Sequence, residues 1–287
     1  MSEHESMSGW KRFWERGGWW KALVLVAVYY GVYLLLGLLS TAVFGKRGDG
    51  LPTAESSALD IFLGTGMPIV LASIVLLAFG WSIGWLKELF GPQPIRGRRW
   101  MWIAIVVVLG INISAALSVD YEKAGAAVVA SWLLTGLFVG FAEETLTRGF
   151  VVNLMRKAGH REIAVALVSS ALFAAMHAGN FFTSAQGLST TAFQVVYTFF
   201  FGICMYLALR LTGSLIWPIL LHASTDPMVF LYTTYPTNAP FAVIARLDIF
   251  IVIGAGIVLL IALIISERRR TKDLIAPRRD LSVTRTA

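Results

Sequence analysis

Phe141-Ala-Glu-Glu-Thr-Leu-Thr-Arg148-Gly-Phe150 sets two adjacent carboxylates and a guanidinium inside a run that is otherwise apolar on both sides, from Val128 to Met155. Ionisable groups at membrane depth cost a few kcal/mol each, so they turn toward a protein interior and carry function. On a helix Glu144 and Arg148 are four apart and share a face, where carboxylate and guanidinium neutralise each other. Glu143 is five residues from Arg148 and lies about 140° away around the axis, at roughly 100° per residue. One glutamate can be held in an ion pair while its neighbour stays free for chemistry. A structural pair locking two helices together is the bland alternative.

The composition around this stretch agrees with membrane depth. The chain has 287 residues, of which 57% are hydrophobic and 14% charged, against about 25% charged in ordinary globular domains. The expected fold is all-α: a polytopic integral membrane protein surrounded by lipid bilayer. A lone cysteine, Cys204, excludes an internal disulfide, and inside an apolar run it reads as a small hydrophobe. The net charge of +7 sits beside the apolar runs, where its natural partners are anionic lipid headgroups. With no basic-aromatic module and no soluble domain, nucleic acid is discarded as a partner.

Working outward, eight apolar runs lie near the ~20 residues that cross a bilayer: about 20–44, 61–82, 100–119, 126–157, 162–181, 191–211, 213–233 and 243–266. The fourth is long enough to bend, or to continue as an extension beyond Arg148. Residues 1–18, with Trp10 and Trp14 among Lys11, Arg12 and Arg16, read as an interfacial segment. The first run is too long for a signal-peptide core and is expected to be retained. Trp85 to Arg99 reads as a short interfacial helix ended by Pro92 and Pro94. Residues 19–266 then form a single transmembrane domain with its motif-bearing core at about 126–233, and 267–287 a basic, disordered tail. Basic connections at 87–99, 156–161, Arg210 and the tail alternate with less basic ones, although Lys46 and Arg47 blur the first of these. The positive-inside rule gives both termini to the cytoplasm.

Two further polar positions lie in apolar spans. His177 closes Phe173-Ala-Ala-Met-His177, four residues from a ring that can pack beside it. His222 opens His222-Ala-Ser-Thr-Asp226-Pro227. Pro227 disfavours the α conformation at Asp226 and leaves the Ala223 carbonyl without its donor, so the helix is expected to end or kink there. Counted from the basic ends, Glu143 and His177 lie about 21–24 Å in, Asp226 about 21 Å and His222 about 15 Å. His4 and His160 lie in polar segments and read as idle, and Gly64-Thr-Gly66 is an isolated match to a glycine-rich loop. Glu143, Glu144, Arg148, His177, His222 and Asp226 together contain a candidate base, its charge partner and two imidazoles. That is enough for water-mediated hydrolysis, since a low-dielectric pocket suits a carboxylic acid to base work near neutral pH. A second His with Asp226 can hold a carbonyl oxygen as charge develops on it.

The set Glu143-Glu144-x-x-x-Arg148, Phe173-x-x-x-His177 and His222-x-x-x-Asp226 resembles the CAAX protease and bacteriocin-processing family of intramembrane proteases, which includes the Ras-converting CAAX endopeptidases. Its three motifs stand here in order, on three spans. The resemblance implies a membrane endopeptidase, in a bacterial cell membrane, acting on a membrane-associated or lipidated peptide or protein. It implies that Glu143 and His177 activate water, that His222 and Asp226 form the oxyanion site, and that Glu144 and Arg148 order the first motif. Asp226 stands where the CAAX endopeptidases have Asn; an ionised carboxylate cannot donate to an oxyanion. Asp226 is then protonated, orients His222, or helps bind a cation. Glu143, His177, His222 and Asp226 are the candidate ligands should a Zn²⁺ be required, although the metal-free route is favoured because the compact H-E-x-x-H spacing is missing. The rival readings are a non-catalytic immunity or scaffold protein that keeps the motifs for packing, and a proton-relaying transporter. The transporter reading lacks the internal repeats such folds often show.

Overall fold

A computed structural model describes residues 7–47, 53–184 and 186–275, with side chains described to residue 270. The chain forms α1 (Gly9–Glu15), α2 (Trp19–Phe44), α3 (Ala58–Ile83), α4 (Leu86–Phe90), α5 (Trp102–Ala116), α6 (Ala126–Lys157), α7 (Glu162–Ala178), α8 (Leu188–Thr212), α9 (Ile216–Thr234) and α10 (Asp248–Ile275), with shorter helical turns between them. Among the described residues there is no strand, only one isolated bridge between Val119 and Pro236. Among the described residues, seven helices are long and apolar enough to cross a membrane. The eighth long one, α9, falls short on composition because it carries His222, Ser224, Thr225 and Asp226. Its 19 residues still reach about 28 Å, close to the hydrocarbon thickness of about 30 Å.

Local signals account for the helix ends. Ser57 and Asp60 close a capping box at the start of α3, satisfying two of its orphan donors. Gly213 takes the left-handed conformation (φ 69°) that stops α8 and turns the chain into α9. The last span begins at Asp248 rather than near 243, because Ala242–Arg246 makes a separate turn of helix. The expectation of a disordered tail from 267 is corrected in part: α10 stays helical to Ile275. Residues 276–287 and 1–6, with His4, lie outside the described residues.

The outward faces are apolar. Leu35, Leu38 and Val43 on α2, Ile103 and Val106 on α5, and Phe250, Val258 and Ile261 on α10 are all more than half exposed. Apolar surface running down several adjacent helices cannot face water; with every backbone group satisfied inside helices, it faces lipid. This is an integral membrane protein. The centre is the second half of α8, where Phe201 to Arg210 are buried on every side, as a helix without a polar face must be. Cys204 lies within it, fully buried and free.

One end of the bundle is joined by charge. Glu162 accepts two bonds from Arg156 (2.9 Å each), one from Arg210 Nη1 (3.1 Å) and one from the Tyr206 hydroxyl. Arg210 also reaches Glu267 at 3.1 Å, and Arg156 donates to Gln93 at 2.7 Å. Arg210 is thus buried in the core, not a loop charge. Glu15 of α1 accepts from Lys157 (2.5 Å) and from the Trp85 indole (2.9 Å). Trp14 is 7% exposed, so α1 docks on protein rather than resting only on lipid.

Candidate functional site

The site is built where α6 and α9 cross. α6 carries Gly136-x-x-x-Gly140, a spacing that puts both glycines on one face and lets two membrane helices approach backbone to backbone. A Cβ at Gly136 would stand 2.3 Å from Pro227 Cγ, and one at Gly140 2.6 Å from the Ala223 nitrogen. The expected end at Asp226 is not found: α9 continues as helical backbone through Pro227. The proline ring fills the groove over Gly136, and the neighbouring helix holds the backbone that the ring would otherwise free. From the far side Asn112 of α5 donates to Ser224 (2.9 Å) and Thr225 (3.0 Å), fixing the rotation of α9.

Within α6 the segment Thr145–Val151 is π-helical. Such segments recur at functional sites, where one extra residue per turn re-aims side chains. Arg148 still meets Glu144: its Nη1 lies 3.2 Å from Glu144 Oε1, and both side chains are wholly buried. Arg148 also donates to Thr147 (2.5 Å), and its guanidinium lies 4.6 Å from the Phe173 ring centre. Glu144 Oε1 lies 2.8 Å from His222 Nδ1. A carboxylate paired with Arg148 can only accept, so Nδ1 carries the hydrogen and Nε2 is turned the other way. Arg148, Glu144 and His222 form one buried chain joining the first motif to the third.

His222 Nε2 lies 3.9 Å from Glu143 Oε2 and 3.8 Å from Asp226 Oδ1, too far for direct hydrogen bonds. Orientation of His222 therefore comes from Glu144, not from Asp226. Glu143 Oε2 has no hydrogen-bond partner among the described residues. The His177 ring packs edge-on against Phe173 (4.8 Å between centres), and its Nδ1 lies 3.0 Å from the Phe173 carbonyl. Because a carbonyl accepts, Nε2 is the nitrogen left for other partners. Phe173 and Phe201 both meet the His222 ring edge-on, so two aromatic rings and a carboxylate fix the imidazole.

Glu143, His177 and Asp226 line a cavity of about 1020 Å³ that reaches between α2, α8, α9 and the start of α10. Glu144 and Arg148 stand behind this wall, and the buried His222 faces it through Nε2, between Glu143 and Asp226. His177 makes no hydrogen bond or ion pair with Glu143; the two share only the cavity. His160 sits in the turn between α6 and α7, away from it. The four candidate metal ligands all carry oxygen or nitrogen donors near the cavity, yet among the described residues no three His, Cys, Asp or Glu converge as a ready ligand group. Sequence reasoning missed Gly136, Gly140 and Asn112. The first two carried a legible signal in their four-residue spacing; Asn112 carried only its polarity within an apolar run.

The family described as type II CAAX prenyl endopeptidase Rce1-like matches residues 125–228, which contain all three motifs. No curated protein matches the chain.

Proposed function

We propose that this membrane protein, whose residues 125–228 match the Rce1-like CAAX prenyl endopeptidase family, is an endopeptidase that hydrolyses a peptide bond of a membrane-associated or lipidated substrate. The observation that carries the reading is the separation of 3.9 Å between Glu143 Oε2 and His222 Nε2. A substrate carbonyl drawn to within about 3 Å of both atoms would have a base and an oxyanion donor flanking one reacting centre.

Glu143 is the general base: it takes a proton from water as the oxygen attacks the scissile carbonyl carbon, and returns it to the leaving amine. His177, with Nδ1–H committed to the Phe173 carbonyl, offers Nε2 as an acceptor for the same water. His222, backed by Glu144, holds the carbonyl oxygen as charge develops; in its imidazolium form Nε2–H is the donor. Asp226 assists in its neutral form, the only form of a carboxyl that donates. Glu144 and Arg148 position His222 and touch no substrate.

The water is activated without a metal in this reading. Were zinc bound, Glu143, His177, His222 and Asp226 would be its donors, and it would supply an activated water. Activity that survives exhaustive chelation supports the metal-free route; stoichiometric zinc whose loss kills activity, restored by add-back, overturns it. The charge of the basic loops supports a bacterial cell membrane protein with both termini in the cytoplasm.

Comparing protein termini in membranes carrying the parent and Glu143→Gln tests the activity. New termini with the parent alone are expected, at equal protein abundance. If Glu143→Gln processes a partner as well as the parent does, the protease reading fails. If the substitution instead removes the protein from the membrane, the motifs serve packing, as in an immunity or scaffold protein.

A further inference from the structure

Two carboxamides meet on the cavity wall just beyond His177. Asn180, in the turn after α7, donates from Nδ2 to Gln194 Oε1 of α8 at 3.0 Å, and both side chains line the cavity. That bond leaves the pair asymmetric: Asn180 keeps a free acceptor in Oδ1, and Gln194 keeps the two N–H donors of Nε2. Neither atom makes another hydrogen bond among the described residues, and neither side chain is fully buried, so both are within reach of a guest. Thr190 and Tyr197, one turn before and one turn after Gln194, line the same wall. Tyr29 (5% exposed) and Thr135 (1% exposed) also line the cavity, and their hydroxyls have no hydrogen-bond partner among the described residues. Polar groups left open in this way are costly unless a guest supplies partners.

We infer that the Asn180–Gln194 pair is a subsite for peptide backbone: Asn180 Oδ1 accepts from an N–H, and Gln194 Nε2 donates to a carbonyl, of a substrate segment held extended beside His177. A peptide unit carries one donor and one acceptor. A helix spends both on itself, so only an unwound segment has them to offer. Where water is scarce such a segment must find partners for its backbone, and the pair supplies two. The subsite deepens the endopeptidase reading and rests on it for turnover. Backbone binding stands without it.

The test uses the full chain in neutral detergent micelles and fluorescein-labelled decapeptides random in Ala, Val, Leu and Phe, so that no side chain is polar. A second library is permethylated, which removes every backbone N–H and keeps every carbonyl. Binding is read by anisotropy at neutral pH on the Glu143→Gln protein, in which the pair is untouched. The N–H library is expected to bind about fivefold tighter, the worth of one ordinary hydrogen bond. Asn180→Leu removes the acceptor and should bring that preference below about twofold. Gln194→Glu still accepts from Asn180 but has no N–H to give. It should weaken binding of both libraries by about fivefold and retain the preference. With Glu143 restored, Asn180→Leu should raise KM for the N–H library by about fivefold, with the loss confined to KM. Permethylation makes a peptide more apolar, so partition into micelles works against the expected preference. Either variant decides alone should the other misfold. Equal binding of the two libraries, or a preference that survives Asn180→Leu, overturns the inference and leaves the pair a strut between α7 and α8. The full binding pattern without cleavage upholds it and sinks the protease reading instead.

Discussion

Gly140→Ala adds a single methyl group at the crossing of α6 and α9. The new Cβ would lie 2.6 Å from the Ala223 nitrogen, 2.7 Å from the Ile219 oxygen and 3.0 Å from Ala223 Cα. Each of these is backbone and cannot rotate away. Restoring an ordinary separation of about 3.5 Å requires the helices to part by close to 1 Å. In stability this is modest, about 1–3 kcal/mol for an overpacked contact. In activity it is severe, because Glu143 and His222 stand on the two helices being parted and are already 3.9 Å from each other. A shift of 1 Å in a reacting pair costs about 100-fold in rate. Product formed per unit of membrane protein is the assay, with the thermal midpoint in micelles alongside. Gly110→Ala is the control: a Cβ there meets nothing within 4 Å, and the change should be neutral or stabilise by up to about 1 kcal/mol. Parental turnover by Gly140→Ala would refute the claim that this crossing sets the site.

Arg148→Leu leaves Glu144 buried with His222 as its one remaining partner and should cost about 3–5 kcal/mol; in a double-mutant cycle with Glu144→Leu the pair should couple by more than about 1 kcal/mol, measured by denaturant unfolding in micelles. Arg210→Met should lower the thermal midpoint through loss of its bonds to Glu162 and Glu267, at a cost of a few kcal/mol, while leaving turnover per folded molecule unchanged. Cys204, fully buried, should resist a maleimide in the native protein and react stoichiometrically once the protein is unfolded; prompt labelling would mean that the second half of α8 is not the core.

What could be read in the chain before its structure follows from how far apart the partners are in sequence. Glu144 with Arg148 and Phe173 with His177 are each four apart on one helix, and both contacts are found. The bond from His222 to Glu144 crosses 78 positions and depends on how α6 packs against α9, which a helical period does not encode. Asp226 illustrates the same limit: four residues from His222 it shares a face with it, yet it stands 3.8 Å off because Glu144 has already claimed the ring. Pro227 was a sound local signal for a break that the close approach of Gly136 overrules. The π-helical turn after Glu144 left no mark in the apolar pattern, since the residues it rotates are buried on every side. Arg210 looked like one more basic loop residue because nothing within its own helix reveals Glu162 and Glu267 waiting in two others.

The charge network around Glu162 and the mouth of the cavity lie at opposite ends of the same helices. Thr190, on the cavity wall, and Arg210, in the network, are separated by about 30 Å of α8; Asp248 and Glu267 are similarly separated on α10. One end is riveted by buried ion pairs; the other is held by the bridge of Val119 to Pro236, by backbone bonds beside it, and by side-chain bonds such as Ser114 to the Phe241 carbonyl (2.5 Å) and Arg246 to the Tyr232 hydroxyl (3.2 Å). Spreading the riveted end means pulling charges apart in a medium that cannot solvate them; spreading the other end breaks hydrogen bonds rather than buried ion pairs. Any guest large enough to press the cavity walls apart would strain hydrogen bonds first, while the buried ion pairs at the far end keep α6, α7, α8 and α10 in place.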